Sequence, residues 1–327
     1  MTWLVTGGAG YIGAHVVRAL CGAGESVVVL DDLSSGDPAR IPGVPLVVGS
    51  VLDGDLVGRT LRDHGVAGIV HVAAVKQVEE SVRHPLRYYR TNVEGLRVVL
   101  EQAVCVGVGS LVFSSSAAVY GMPDVDVVRE DTGCRPVNPY GTTKLVGERM
   151  IEEVAAATGL RYASLRYFNV AGAAAPELTD RGVSNLVPMV FQRLEQGLPP
   201  VVFGGEHPTP DGTCIRDFVH VADVASAHVA AARALVDGRV TALTANIGRG
   251  EGVSVREMVD VIREVTGTAG EAWAEPVVAP PRPGDPPRVV ASADTIRAVL
   301  GWTAEHDVHD MVASAWAGWT AGPLAAR

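Results

Sequence analysis

The chain has 327 residues, 47% of them apolar and 20% charged, proportions that fit a globular protein with a sizeable core in one large domain or two intimate ones. A formal net charge of −10 without any basic run argues against a nucleic-acid partner, and no stretch of about 18 apolar residues marks a membrane span. The four cysteines, Cys21, Cys105, Cys134 and Cys214, match neither a metal motif nor a disulfide framework, so reduced thiols in a cytoplasm are expected.

Strand and helix alternate through the first half. Trp3 to Thr6, Ser26 to Asp31, Leu46 to Val48, Gly68 to Ala73, Ser110 to Ser114 and Tyr162 to Phe168 are short runs rich in Val, Ile and Leu. They predict buried parallel strands. Amphipathic stretches near 11–23, 54–64, 88–106 and 141–157 predict the helices between them. Such alternation implies right-handed crossovers and a doubly wound sheet. After about residue 172 the pattern loosens. Residues 173–182 read as a loop, and Pro199-Pro200 and Pro280-Pro281 punctuate the rest of the chain. Helices are expected near 184–196, 222–236, 255–266 and 307–319. Thr241 to Gly248 reads as a strand that returns to the first sheet. The expected division is 1–172, with a returning segment near 214–248, and a smaller mixed α/β region over 173–327.

Thr6-Gly7-Gly8-Ala9-Gly10-Tyr11-Ile12-Gly13 lies between the first strand and the first helix. Glycines at 7, 10 and 13 allow a tight turn and let backbone amides approach a pyrophosphate at the helix N-terminus. Asp31, with Asp32 beside it, ends the second strand. A carboxylate there accepts hydrogen bonds from a ribose and repels a 2′-phosphate, which favours NAD over NADP. Strand, glycine turn, helix and acid together make the sheet Rossmann-type. The bland alternatives are a flavodoxin-like turn and a solvated Asp-Asp pair.

The chain contains two lysines, Lys76 and Lys144. Lys144 follows Tyr140 by four residues, so the two share a helix face, and Ser114-Ser115-Ser116 lies upstream. A phenol with a pKa near 10 is a poor base at neutral pH. A cation about 4 Å away, at an effective dielectric of about 20, supplies roughly 4 kcal/mol, or about three pKa units. Taken alone, a Tyr-x-x-x-Lys pair also arises by chance, and a serine run also caps strand ends. His71, His220 and His228 sit in apolar surroundings and read as satisfied core histidines.

These motifs resemble the extended short-chain dehydrogenase/reductases. The resemblance rests on Gly7 to Gly13, Thr91 to Gly95, Phe113 to Gly121, Tyr140 to Lys144 and Arg166 to Asn169. Within that family the chain resembles the UDP-glucose 4-epimerases, through Ala74 to Ser81, Pro208 to Val221, Asn246 to Gly248 and Arg282-Pro283-Gly284-Asp285. Both lysines fall on positions the family uses. The resemblance implies tightly bound NAD, a UDP-sugar substrate, a homodimer, and reversible oxidation at C4 through a 4-ketose. It implies that Tyr140 is the base, that Lys144 tunes it, and that Ser116 bonds the reacting oxygen. Further implied cofactor contacts are Tyr11, Ile12, Leu33, Ser50, Val51, Val72, Ala73, Ala74, Lys76, Asn92, Ser114 and Phe168. Lys76, Asn169, Asn185, Leu186, Val201, Phe203, Arg216, Arg282, Asp285 and Val289 are the implied substrate contacts. Helices 88–106 and 141–157 resemble the family's dimer bundle, with Leu96, Val99, Leu100, Leu145 and Ile151 as contacts. Departures are Ser50-Val51 in place of an Asp-Ile or Asp-Val pair near adenine, Ala118 in place of threonine, and Val289 at a gatekeeper position near the sugar. A small gatekeeper implies room for N-acetylhexosamines. A 4,6-dehydratase would need an acid where Ala117 and Ala118 stand. A UDP-uronate epimerase or decarboxylase and a non-catalytic NAD-binding regulator are the alternatives.

Overall fold

The computed structural model describes residues 1–267, 275–282 and 284–322; Pro283 of the arginine-containing motif lies outside them. Strands β1 (Thr2–Thr6), β2 (Ser26–Asp31), β3 (Leu46–Val48), β4 (Val66–His71), β5 (Ser110–Ser116) and β6 (Arg161–Tyr167) carry the first half. The second half contributes β7 (Asn169–Ala171), β8 (Val201–Phe203), β9 (Ile215–His220), β10 (Ala242–Ile247), β11 (Gly252–Ser254), β12 (Val277–Ala279) and β13 (Arg288–Val289). The helices are α1 (Tyr11–Gly22), α2 (Gly54–Asp63), α3 (Val78–Arg83), α4 (Pro85–Tyr88), α5 (Gly95–Val106), α6 (Pro139–Thr158), α7 (Leu186–Glu195), α8 (Val221–Val236), α9 (Val255–Thr266), α10 (Asp294–Leu300) and α11 (Val308–Thr320).

Seven strands form a parallel sheet in the order β10-β6-β5-β4-β1-β2-β3. Both faces are covered, which is why the strands are continuous apolar runs rather than alternating ones. Successive side chains point to opposite faces. Trp3 and Val5 of β1 pack on one side with Val16, Leu20, Ala231 and Leu235 from α1 and α8. Leu4, Ile69 and Leu111 pack on the other with Val57, Leu61, Leu96, Val99 and Ile151 from α2, α5 and α6. This is the doubly wound Rossmann-type sheet that the alternation predicts.

The returning segment behaves differently in its two parts. α8 and β10 do come back, and β10 pairs with β6 along its whole length. β9 does not; it pairs with β7, β11 and β13 in a second, four-stranded sheet. Helices α7, α9 and α11 close on that small sheet through Phe191, Phe218, Met258, Ile262, Met311 and Trp319.

The expected helix over 88–106 is continuous but carries a π-helical turn. α4 ends at Tyr88, a π-helical turn covers Tyr89–Glu94, and α5 begins at Gly95. Leu96, Val99, Leu100 and Ile151, expected at a dimer face, are all buried within the single chain against the sheet. Leu145 is half-buried beside Val119, Tyr120 and Phe168. Exposed apolar side chains of this region include Val82 (62%) and Leu86 (82%), just before the predicted stretch, and Tyr89 (39%) at its start.

Candidate active site

The strand order reverses between β1 and β4, and the loops leaving their carboxyl ends diverge. A crevice at such a switch point is where doubly wound sheets bind ligands. A cavity of about 570 Å³ opens there. Its floor is the glycine turn between β1 and α1. Gly7 adopts φ 68°, in the left-handed region that favours glycine. A Cβ on Gly13 would lie 2.0 Å from the Gly7 carbonyl oxygen, so α1 can start against this turn only with glycine there. Gly10 caps α1 without a side-chain bond, and the first turn holds no acid. The unpaired N–H groups and the positive helix end are therefore free for an anion. The cradle fits a dinucleotide pyrophosphate.

Asp31 closes the adjoining wall. Its carboxylate accepts from the amides of Ala9 and Leu33, both at 2.9 Å, and so ties the glycine turn to the loop after β2. Each oxygen keeps a second lone pair for a ribose hydroxyl. Gly7, Gly10, Tyr11, Ile12, Gly13, Asp31, Asp32, Ser50, Val51, Val72, Ala73, Ala74, Lys76, Tyr140 and Lys144 line this cavity. Leu33, Asn92, Ser114 and Phe168 do not. Leu33 packs against the core from a left-handed backbone position at φ 57°. The buried Asn92 accepts from the Val75 amide at 2.9 Å and donates to the Val75 carbonyl and the Thr143 hydroxyl at 3.0 Å. It brackets the wall from behind. Ser114 is enclosed, with its hydroxyl 3.0 Å from His228 Nε2. Phe168 faces the neighbouring cavity instead. Ser34 and Gly49, from loops, and Arg87 and Thr91, from α4 and the π-helical turn, line the cleft without having been anticipated.

That second cavity, of about 380 Å³, brings together all the expected substrate residues: Lys76, Ser116, Tyr140, Asn169, Asn185, Leu186, Val201, Phe203, Arg216, Arg282, Asp285 and Val289. Asp285 organises the basic groups. It accepts from Arg216 at 2.6 Å and from Arg282 at 2.9 Å and 3.1 Å. Burial raises the Asp285 pKa, but the two guanidiniums outweigh that and hold it below the usual carboxylate range. Arg282 also lies over the Phe203 ring, 5.1 Å from its centroid. Two forks fixed by one carboxylate suit a diphosphate. Asp285 is the one acid among the described lining residues of this cavity. Ala117, Ala118, Val137 and Asn138 also line it and were not anticipated as contacts.

Tyr140 belongs to the walls of both cavities. It sits in the first turn of α6, after Pro139 at the first helical position and the cap Asn138, whose side chain accepts from the Gly141 amide at 2.9 Å. Ser116 ends β5 and lines the same second cavity. Lys144 is buried one turn on. Its ammonium donates to the Ser114 carbonyl at 2.7 Å and lies 4.9 Å from the Phe113 ring centroid. The electrostatics correct the expectation of a lowered phenol. Burial pushes Tyr140 above its ordinary value, and the Ser116 hydroxyl pulls back only in part. Lys144 is itself brought down to about 7 by burial, with Glu148 opposing the fall. Both groups lose water here, and the ammonium points at a carbonyl rather than at the phenol. His71, His220 and His228 are all buried and hydrogen-bonded, as expected of core histidines.

Fold and site together define an NAD-dependent enzyme with a Rossmann-type sheet. The chain belongs to the NAD dependent epimerase/dehydratase family, whose model matches residues 3–248. It is 46% identical over 321 residues to a UDP-glucose 4-epimerase of Azospirillum brasilense, covering 97% of this chain and 91% of that one. The structure superposes with a TM-score of 0.93 on a UDP-glucose-4-epimerase from Stenotrophomonas maltophila with bound NAD and formylated UDP-arabinopyranose, at 38% identity and 98% coverage of both chains. A UDP-Glc/GlcNAc 4-epimerase from Campylobacter jejuni gives 0.85 at 32% identity, covering 98% of this chain and 99% of that one.

Proposed function

We propose that this protein is an isomerase that interconverts UDP-hexoses at C4, with NAD held as a prosthetic group. The observation that carries this reading is the place of Tyr140, in the wall common to the dinucleotide cradle and the cavity that holds the Arg216–Asp285–Arg282 cluster. NAD, held in the cleft between the glycine turn and Asp31, would supply a reversible hydride acceptor. The protein does the rest. The glycine turn and α1 hold the pyrophosphate, and Asp31 takes the ribose. Arg216 and Arg282 grip the UDP diphosphate. Tyr140 removes the proton from the 4-hydroxyl and returns it, while Ser116 hydrogen-bonds the reacting oxygen. Lys144 stabilises the phenolate and holds the nicotinamide ribose. A 4,6-dehydratase is disfavoured because Ala117 and Ala118 adjoin Ser116 in the cavity wall. A cytoplasmic setting belongs to the same reading, supported by the free state of all four cysteines.

The sugar pocket supports a broader substrate range. Val289 lines it beside Ala118 and Val137, all small or medium side chains. We therefore expect UDP-GlcNAc and UDP-GalNAc to be turned over alongside UDP-Glc and UDP-Gal. NMR of the anomeric region over a panel of UDP- and dTDP-sugars decides. Val289→Tyr is expected to cut activity on the N-acetyl sugars by about 10–100-fold, the scale of one pocket contact. Untouched N-acetyl activity in that variant would acquit Val289.

The same reading makes the protein a homodimer. Its supports are the resemblance and the exposed Val82, Leu86 and Tyr89 next to α5 and α6. Light scattering at micromolar concentration is expected to give twice the 34.1 kDa chain mass, and Leu86→Glu to give one chain mass. A monomer in the unaltered protein refutes the dimer; a dimer that survives Leu86→Glu places the contact elsewhere.

A further inference from the structure

Behind the active site lies a buried ion pair that the proposed chemistry does not use. Glu148 follows Lys144 by four residues on α6, so both project from one helix face. Its side chain is 2% exposed and that of Arg166, on β6, is 8% exposed. Arg166 grips it with both arms, Nη2 to Oε2 at 2.6 Å and Nε to Oε1 at 2.9 Å. Ser115, between the serine whose carbonyl accepts from Lys144 and the serine facing the substrate cavity, donates its hydroxyl to the same carboxylate. Arg166 then donates to the Tyr120 hydroxyl at 2.9 Å, and that hydroxyl donates to Asn246 on β10 at 2.7 Å. A charge held in this way cannot swing away from its neighbours.

We propose that Glu148 is a positioning residue that keeps the Lys144 ammonium charged in the dry interior, and through it sets the base strength of Tyr140. The surroundings leave this task to Glu148. From β4, His71 faces the ammonium, but burial and then Lys144 itself bring it down to about 3, so it is a neutral ring. From β5 come the Ser114 carbonyl and the Phe113 ring. From β6 come Tyr167, a phenol whose own pKa burial raises, and Arg166, whose charge is engaged by Glu148. From α6 come Tyr140, likewise raised by burial, and Glu148. Glu148 is the one acid in this set. A desolvated ammonium without a counter-charge gives up its proton, and a neutral Lys144 would no longer favour the Tyr140 phenolate.

The chain's two lysines make this directly readable. Lysine labelled with ¹³C at Cε should give two titrating signals in the holoenzyme, and Lys76→Arg assigns them. In Glu148→Gln the Lys144 midpoint is expected to fall by about one pH unit or more. That variant leaves Arg166 buried and unpaired, a defect that can cost folding. The double variant Glu148→Gln, Arg166→Gln removes both charges and should fold, with the Lys144 midpoint lowered by less than in the single variant, because the cation of the pair is gone as well. In both, the alkaline limb of the kcat/KM profile should move down with the midpoint, so that the loss of rate grows as pH rises through the lowered midpoint; a merely structural defect would lower the rate by the same factor at every pH. A Lys144 midpoint within about 0.3 unit of the unaltered protein's, in either folded variant, overturns the proposal. The catalytic consequence rests on the epimerase reading. The titration does not, so a shifted midpoint in a protein without epimerase activity condemns that reading and not this one.

Discussion

Tyr140→Phe is expected to lower turnover of UDP-galactose by about 10²–10⁴-fold, the usual contribution of one placed general base, while bound NAD and thermal stability stay as they were. The substitution removes one oxygen from a ring that lines both cavities and leaves the packing of α6 on β5 intact. Since burial holds the phenol above its ordinary value, the unaltered enzyme should gain activity as pH rises on its acid limb. The Phe variant should lose that limb. Lys144→Met should also slow turnover, with partial recovery at high pH, where the phenol ionises unaided. A Tyr140→Phe enzyme that runs at the unaltered rate would remove the tyrosine from the chemistry and with it the proposed mechanism.

Gly13→Ala is expected to strip the protein of its cofactor. The unaltered protein should carry NAD from purification, released on denaturation and detectable in the supernatant without any having been added. A redox-neutral cycle gives no reason for NAD to leave. In the variant the new methyl would stand 2.0 Å from the Gly7 carbonyl oxygen and 2.8 Å from Gly8 Cα, which are backbone atoms and cannot swing aside. Either the turn or the start of α1 must shift, at a cost of about 1–3 kcal/mol, or about 5–150-fold in affinity if it falls on binding. An alanine variant that retains stoichiometric NAD would mean that the pyrophosphate lies elsewhere. NADP in place of NAD would instead discredit the reading of Asp31 alone.

The cofactor half was legible because its signals are local. Gly7 to Gly13 lies between a recognisable strand and helix, and Asp31 ends the next strand. Both doubly covered faces of the sheet produce apolar runs that stand out. Ser116, Tyr140 and Lys144 could be paired because four residues make one helical turn. What failed were inferences about direction. Asn92 and Ser114 are in the right neighbourhood but point at Val75 and His228, and only tertiary structure decides that. Leu96 and Val99 have the spacing of an interface and also that of a core face, since one periodicity serves both. The short strands β7, β8, β11 and β13 were missed: two or three residues carry no alternation, and unlike the equally short β3 they lie outside the regular alternation of strand and helix. The gathering of Arg216 with Asp285 across 69 residues was reached by resemblance, because spacing alone has no means to connect them.

The late arrival of β10 has a consequence for anyone wishing to cut the protein in two. β10 covers the outer side of β6 with a full ladder, although 74 residues separate Tyr167 from Ala242. A fragment stopping at residue 172 would present β6 as a naked border of unpaired amides and carbonyls, rich in apolar side chains, and such borders recruit other chains into aggregates. It would also lack α8, which supplies Ala231 and Leu235 to one whole face of the sheet. The two halves are thus separate in task but not in assembly: the ribbon that builds the sugar-binding side must come home before the first sheet is finished.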